Sequence, residues 1–293
     1  MKKIKILIYK LWNKVYCWCH KKPKVVGTDD TLDKLIKDNC SISRFGDGEF
    51  SLILGGSIAF QRYDKVLEEK LREVLESESE RHLVGIPNVF GNLAEFSEES
   101  RKWWENYLLG NRKKIYSILP KNKIFYDAQI TRIYINRKDK SHSRDRFEKI
   151  KTLWNNKNIL IVEGALSRCG GGGNDLFNEC KSVKRILVPA KDAFDKYHEI
   201  YEATIQITQL YEIDLIILAI GPTATCLAFD LYNAGKRALD LGNLDIEYEW
   251  MNLGVENKVV VSGKYTHEVK NGTENIERIF DPKYENQIVY RVE

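Results

Sequence analysis

From Lys157 to Met251 the chain passes four times from a short β-type run through a loop into a helical stretch, an order that few folds accommodate. The runs are residues 158–163, 185–188, 214–220 and 237–241, and helical stretches begin near Asn174, near Asp192, after Gly221 and at Leu244. The third run, Asp-Leu-Ile-Ile-Leu-Ala-Ile, is almost wholly apolar, as a strand covered on both faces requires. Units of this kind joined by right-handed crossovers build a mostly parallel sheet flanked by helices, so the sequence predicts an α/β, Rossmann-like architecture. Upstream, helices are expected over residues 28–38, 65–79 and 97–109. The second carries Val66, Leu67, Leu71, Val74 and Leu75 at helical spacing under a charged outer face. The polar run 137–146 reads as a surface loop or a helix entry.

Charge and cysteine usage narrow the partners and the compartment. The formal net charge is +4 over 293 residues, which argues against a strongly basic nucleic-acid binder. The six cysteines form no CxxC pair and suit neither a zinc site nor a disulfide framework. Scattered single cysteines fit a reducing cytosol, so a cytoplasmic protein is expected. Residues 1–27 form a separate basic, amphipathic segment, with Lys2, Lys3, Lys5, Lys10 and Lys14 among Ile4, Ile6, Leu7, Leu11, Trp12 and Trp18. It has no apolar run long enough to span a bilayer and no signal-peptide pattern. Residues 1–22 either lie on an anionic membrane surface or dock on the domain.

In an open parallel sheet, ligands bind beyond the carboxyl ends of the strands and at helix N-termini. Each of the four loops expected there carries polar chemistry. The first holds Gly164, Ser167, Arg168, four consecutive glycines and Asn174. It matches neither the P-loop nor the dinucleotide fingerprint, and reads either as a flexible loop or as a phosphate cradle with Arg168 as its counter-charge. The second holds Asp192 at a helix start. The third, Gly221-Pro222-Thr223, has proline in the first turn and a hydroxyl that serves as helix cap or ligand contact. The fourth crowds Asp240, Asp245, Glu247 and Glu249 into ten residues, either as helix-start acids or as site carboxylates. Far upstream, Arg44-Phe45-Gly46-Asp47-Gly48-Glu49 separates two carboxylates by one glycine. On an extended backbone, Asp47 and Glu49 would share one side and suit Mg²⁺ or Mn²⁺ bound together with substrate phosphates.

The segment Arg44–Glu49 resembles the DxE metal motif of the GT-D-type glycosyltransferases, a bacterial family with a Rossmann-like domain. Residues 164–177, 189–194, 221–227 and 240–250 are similar to that family's later segments and stand in the same order. The resemblance spans residues 28–262, leaving 263–293 as a C-terminal extension packed on the domain. It implies metal-assisted transfer of a sugar, typically glucose from UDP-glucose, onto a glycan, glycolipid or glycoprotein acceptor in cell-surface assembly. By position it makes Asp47 and Glu49 the metal pair. It makes Arg44, Gly48, Gly164, Ser167, Arg168, Asn174, Asp192, Gly221 and Thr223 donor contacts. The family pattern leads to a His where this chain has Asn243, and Asn cannot accept a proton. Asp245 or Glu247 is therefore expected to serve as general base. A non-catalytic nucleotide-sugar or glycan-binding module, or another nucleotide-dependent enzyme of the same sheet type, stands as the alternative.

Overall fold

The structure is a computed structural model that describes residues 20–274, 276–277 and 280–293. The basic N-terminal segment lies, from Met1 to Cys19, outside the described residues. In chain order the elements are β1 (Lys24–Val25), α1 (Thr28–Lys37), β2 (Ser41–Arg44), α2 (Asp47–Ile53), α3 (Lys65–Glu76), β3 (His82–Ile86), α4 (Glu98–Ile118) and β4 (Ile124–Asp127). There follow α5 (Ser143–Lys151), β5 (Asn158–Gly164), β6 (Ser182–Val188), α6 (Tyr197–Leu210), β7 (Leu215–Ala219), α7 (Pro222–Asn233), β8 (Ala238–Asp240), α8 (Leu244–Asn252), α9 (Pro282–Glu285) and β9 (Ile288–Arg291).

The nine strands form one sheet in the order β1-β4-β3-β2-β8-β7-β5-β6-β9, and every adjacent pair is parallel. Strand alternation sends successive side chains to opposite faces, and both faces are covered. Ile159 and Ile161 of β5, with Leu215 and Ile217 of β7, pack under α1, α5 and α8 beside Phe147, Trp154 and Trp250. Leu160 and Val162 of β5, with Ile216 and Leu218 of β7, pack under α3, α4, α6 and α7 beside Phe50, Leu71 and Leu227. This two-sided burial is why β7 reads as an unbroken apolar run rather than an alternating one.

Several features depart from the sequence reading. Four of the nine strands lie upstream of Lys157, each of two to five residues and too short to show a period. And no helix follows β5: residues 165–181 are turns and loop, held by internal polar contacts rather than by a helical ladder. Helices α1, α3, α6, α7 and α8 fall where the pattern put them, whereas α4 runs on to Ile118 beyond the expected end at residue 109, and α2 and α9 were not expected. Asp64 caps α3 through the Val66 and Leu67 amides, and Ser97 caps α4 through the Ser100 amide. Among the described residues no helix is long and apolar enough to cross a membrane.

Candidate active site

The chain order fixes where a crevice opens. After β5 the chain moves outward to β6, whereas after β7 it moves the other way to β8. Adjacent parallel strands whose connections diverge leave a gap beyond their carboxyl ends. A cavity of about 120 Å³ occupies it, lined by Gly164, Ser167, Pro189, Gly221, Asp245 and Tyr265 among others. A second cavity, of about 510 Å³, continues along the same edge past β8 and β2. Its walls include Arg44, Asp47, Gly48, Glu49, Trp103, Arg132, Lys258 and Glu268. Phe60, Gly221, Gly242, Asn243 and His267 line both, so the two are one continuous cleft.

The Asp47–Glu49 pair is not extended, as the sequence reading supposed. Both residues lie in the first turn of α2, where acids complement the exposed N–H groups. Glu49 turns back to accept the Gly46 N–H at 2.6 Å, half of a capping box. Burial, opposed by the Gly46 N–H, raises the Glu49 carboxyl to about 7. Asp47 keeps an open face to the cleft, although the crowding walls also raise its carboxyl. Helical geometry turns the two side chains apart, yet both line the larger cavity because they sit at the very end of the helix.

Several residues expected at the ligand are committed elsewhere. Arg44 lines the larger cavity, but its guanidinium is saturated: it donates to the Asp240 carboxylate and carbonyl, the Ala128 and Gly242 carbonyls and the Thr131 hydroxyl. It binds β2 to β8 rather than standing free for a phosphate. Arg168 lines neither cavity; it sits at φ +47° and ties down the C-terminal segment through the Gly263 and Glu277 carbonyls. Asn174 bridges Asp245 and Glu249 at 3.0 and 2.9 Å. Asp192 accepts the Arg62 N–H at 2.7 Å and donates its own N–H to the Phe60 carbonyl, fixing the loop whose Phe60 forms the wall common to both cavities. Thr223 is wholly buried within α7, and its hydroxyl has no hydrogen-bond partner among the described residues.

The two acids expected to act as base are also spent. Glu247 is fully buried, lines neither cavity and accepts the Tyr134 and Ile135 N–H groups at 2.9 and 3.0 Å. Burial raises it to about 7 against the pull of Arg132 and those two amides. Asp245 does line the smaller cavity. One of its oxygens accepts from the Gly170 N–H and Asn174, and the other pairs with Lys264 at 2.7 Å. Lys264 also meets Glu249 at 2.7 Å, and the three form a buried charge cluster beneath the glycine-rich loop.

The cleft instead draws chemistry from segments with no motif. Arg132, just past β4, and Lys258, in the loop after α8, face the larger cavity. They also pair with Glu268. Burial acts to raise Glu268, but Arg132 and Lys258 outweigh it and hold the carboxyl at about 2. His267 packs edge-on against Phe60 at 5.0 Å and beside Tyr265. Trp103, 45% exposed, stands at the outer mouth stacked on Tyr107 with rings 9° from parallel. No glycine or acidic pattern flags these residues, because only strand order brings 132, 258 and 267 beside Asp47.

A family model described as the glycosyltransferase GT-D fold matches residues 42–269. The chain belongs to that family. It is 39% identical over 92% of its length to glycosyltransferase GlyD of Streptococcus pneumoniae serotype 4, and 39% identical over 90% to the probable glycosyl transferase Gly of Streptococcus gordonii. The chain spans only about a third of those proteins, 32% and 38% of their lengths. A solved structure described as a new glycosyltransferase from Streptococcus sanguinis superposes with a TM-score of 0.87 at 38% identity, covering 93% of this chain and all of the other. A second, described as a domain with a distinct glycosyltransferase fold, superposes with a TM-score of 0.87 over 92% of this chain and 96% of its own. The GT-D match ends at residue 269 and so includes the segment that delivers Tyr265 and His267 to the cleft and Lys264 to Asp245 beneath it.

Proposed function

We propose that this GT-D chain transfers a hexose, glucose from UDP-glucose, onto a glycan acceptor in cell-surface polysaccharide or glycoprotein assembly, with Mn²⁺ or Mg²⁺ at Asp47 and Glu49. The observation that carries the reading is the composition of the larger cavity. It sets the open Asp47 carboxylate opposite Arg132 and Lys258 at the carboxyl edge of the sheet, and a volume of about 510 Å³ falls within the range of ligand sites.

The donor set fits a hard divalent ion. Asp47 and the Glu49 oxygen not engaged by Gly46 offer oxygen ligands only, which suits Mg²⁺ or Mn²⁺ rather than a thiolate- or imidazole-seeking metal. Among the described residues there is no cluster of three or more ligating side chains. An ion held by Asp47 and Glu49 would need further oxygen ligands from water and substrate phosphates, the usual mode for Mg²⁺ in phosphate sites. When bound, the metal supplies positive charge against the leaving nucleoside diphosphate. Arg132 and Lys258 add to that charge from the facing wall. Gly48, Gly164 and Gly221 let the donor approach the backbone, Ser167 offers a hydroxyl, and Trp103 presents an aromatic face to a sugar ring at the mouth.

The test is release of UDP from a panel of UDP-sugars with and without Mn²⁺. Asp47→Asn and Glu49→Gln are expected to lose at least ~10²-fold in turnover, the scale of a lost electrostatic group in a transition state. Undiminished turnover in both variants, or in wild type with chelator, removes the metal from the reading. UDP binding with no turnover of any donor favours a non-catalytic binding module. The same reading keeps the chain cytoplasmic with residues 1–22 against an anionic membrane, tested by co-sedimentation with vesicles containing phosphatidylglycerol.

A further inference from the structure

Glycosyl transfer needs a group that takes the proton of the attacking hydroxyl, and the cleft has few that remain free. Asp245 is held by Lys264, Gly170 and Asn174, and Asp240 by Arg44. Glu268 is held by Arg132 and Lys258. Glu99 lies exposed at the outer mouth. Asp47 and Glu49 are claimed by the metal in the reading above.

His267 differs from all of these. Among the described residues it is the only imidazole lining either cavity, and it lines both, at their junction beside Asn243. Phe60 and Tyr265 clamp its ring by aromatic contacts, which fix orientation without consuming a ring nitrogen. The Phe60 side of that clamp is itself pinned through Asp192. The charged groups that face the ring are Glu268 beside it and Arg132 and Lys258 across the larger cavity. Burial, the largest influence, lowers His267 to about 4, so the ring is neutral near pH 7 and has a lone pair to offer.

We infer that His267 is the general base of the transfer reaction, acting on an acceptor hydroxyl of a glycan bound at the junction of the two cavities. The inference rests on the glycosyltransferase reading. As the acceptor oxygen bonds to the anomeric carbon, the bond from that carbon to the diphosphate oxygen breaks and its electron pair leaves with the nucleoside diphosphate. The hydroxyl proton passes to an imidazole nitrogen, and the imidazolium later returns it to solvent. Asn243 can hold the hydroxyl by its amide but cannot take the proton.

The experiment compares wild type with His267→Gln and His267→Gly in the full chain. Transfer from UDP-glucose with Mn²⁺ to a panel of p-nitrophenyl glycosides is followed across pH, with UDP binding measured by calorimetry. The expected result is a kcat lower by ~10²–10⁴-fold, the usual range for lost general-base help, with Mn²⁺-dependent UDP binding retained. Free imidazole is expected to restore part of the His267→Gly rate, which a merely structural role would not allow. Transfer within ~10-fold of wild type with an unchanged pH profile, or a low rate that imidazole leaves unmoved while UDP still binds, overturns the assignment. If wild type itself transfers from no donor, the glycosyltransferase reading fails and this inference with it; an active wild type with an active variant sinks this inference alone.

Discussion

Replacing Lys264 by Met isolates what the buried charge cluster contributes. Lys264 is 1% exposed and lies 2.7 Å from both Asp245 and Glu249, which are themselves 5% and 18% exposed. Met keeps most of the aliphatic stem and removes only the ammonium, leaving two neighbouring carboxylates with no cation. Removing one partner of a buried pair costs about 3–5 kcal/mol, because the surviving charge is stranded without solvent. At about 2–4 °C per kcal/mol for a chain of this size, the unfolding midpoint is expected to fall by roughly 10 °C at pH 7. The pH dependence carries a definite sign. Burial already holds the Asp245 pKa above its ordinary value, against the pull of Lys264, and loss of Lys264 raises it further. A carboxyl whose folded pKa is raised stabilises the fold below its unfolded pKa and loses that contribution as pH rises toward the folded value. The variant is therefore expected to lie closer to wild type at pH 5 than at pH 7, as measured by urea unfolding at both. Adding Asp245→Asn to Lys264→Met is expected to recover part of the loss, since contacting residues do not add independently. A loss under ~1 kcal/mol at pH 7, far below what a stranded buried charge costs, or an equal loss at both pH values, refutes the argument.

Two further outcomes follow from the same geometry. Glu247→Gln removes a carboxyl that burial raises from 4.5 to about 7; wild type is expected to lose stability relative to the variant as pH rises across that window. Parallel urea titrations from pH 4.5 to 8 check this, and matching slopes would count against a raised Glu247. Gly221→Ala places a Cβ at φ +58° and 2.9 Å from a Phe60 ring carbon, whereas Gly235→Ala, at φ +76°, meets nothing within 4 Å. Gly235→Ala incurs the positive-φ cost of about 1–2 kcal/mol, while Gly221, at ψ −144°, lies in a region open to little but glycine, so Gly221→Ala is expected to cost more and also to weaken UDP binding by shifting the Phe60 wall. Equal costs with unchanged binding would mean that Phe60 does not shape the cleft.

Local chemistry was enough to settle the architecture on one side of the sheet. The apolar run of β7, the Pro222 start of α7 and the spacing of Leu67, Leu71 and Val74 in α3 are period and capping signals that a chain carries wherever it folds. The glycines at 164 and 221 likewise marked the carboxyl edge before any coordinate did, and Asp47, Gly48 and Ser167 do line the cleft. Strands β2 to β4 were not legible, because their four or five residues are too few to show a period. The helical placing of Asp47 and Glu49 was hidden by the glycines on either side, which permit an extended path as readily as a helix start.

What the sequence could not decide is which polar side chains are free. Arg44, Arg168, Asn174 and Glu247 have the right chemistry for a ligand, but each is bound by partners on other elements: Asp240, the Gly263 carbonyl, Glu249 and the Tyr134 amide. A buried donor or acceptor left unpaired costs more than a paired one returns, so the fold uses up nearby polar groups wherever it closes, several of those at the cleft included. His267 lines the cleft beside Arg132 and Lys258, which are themselves paired with Glu268; long-range strand pairing brings these segments together, and no local pattern encodes that.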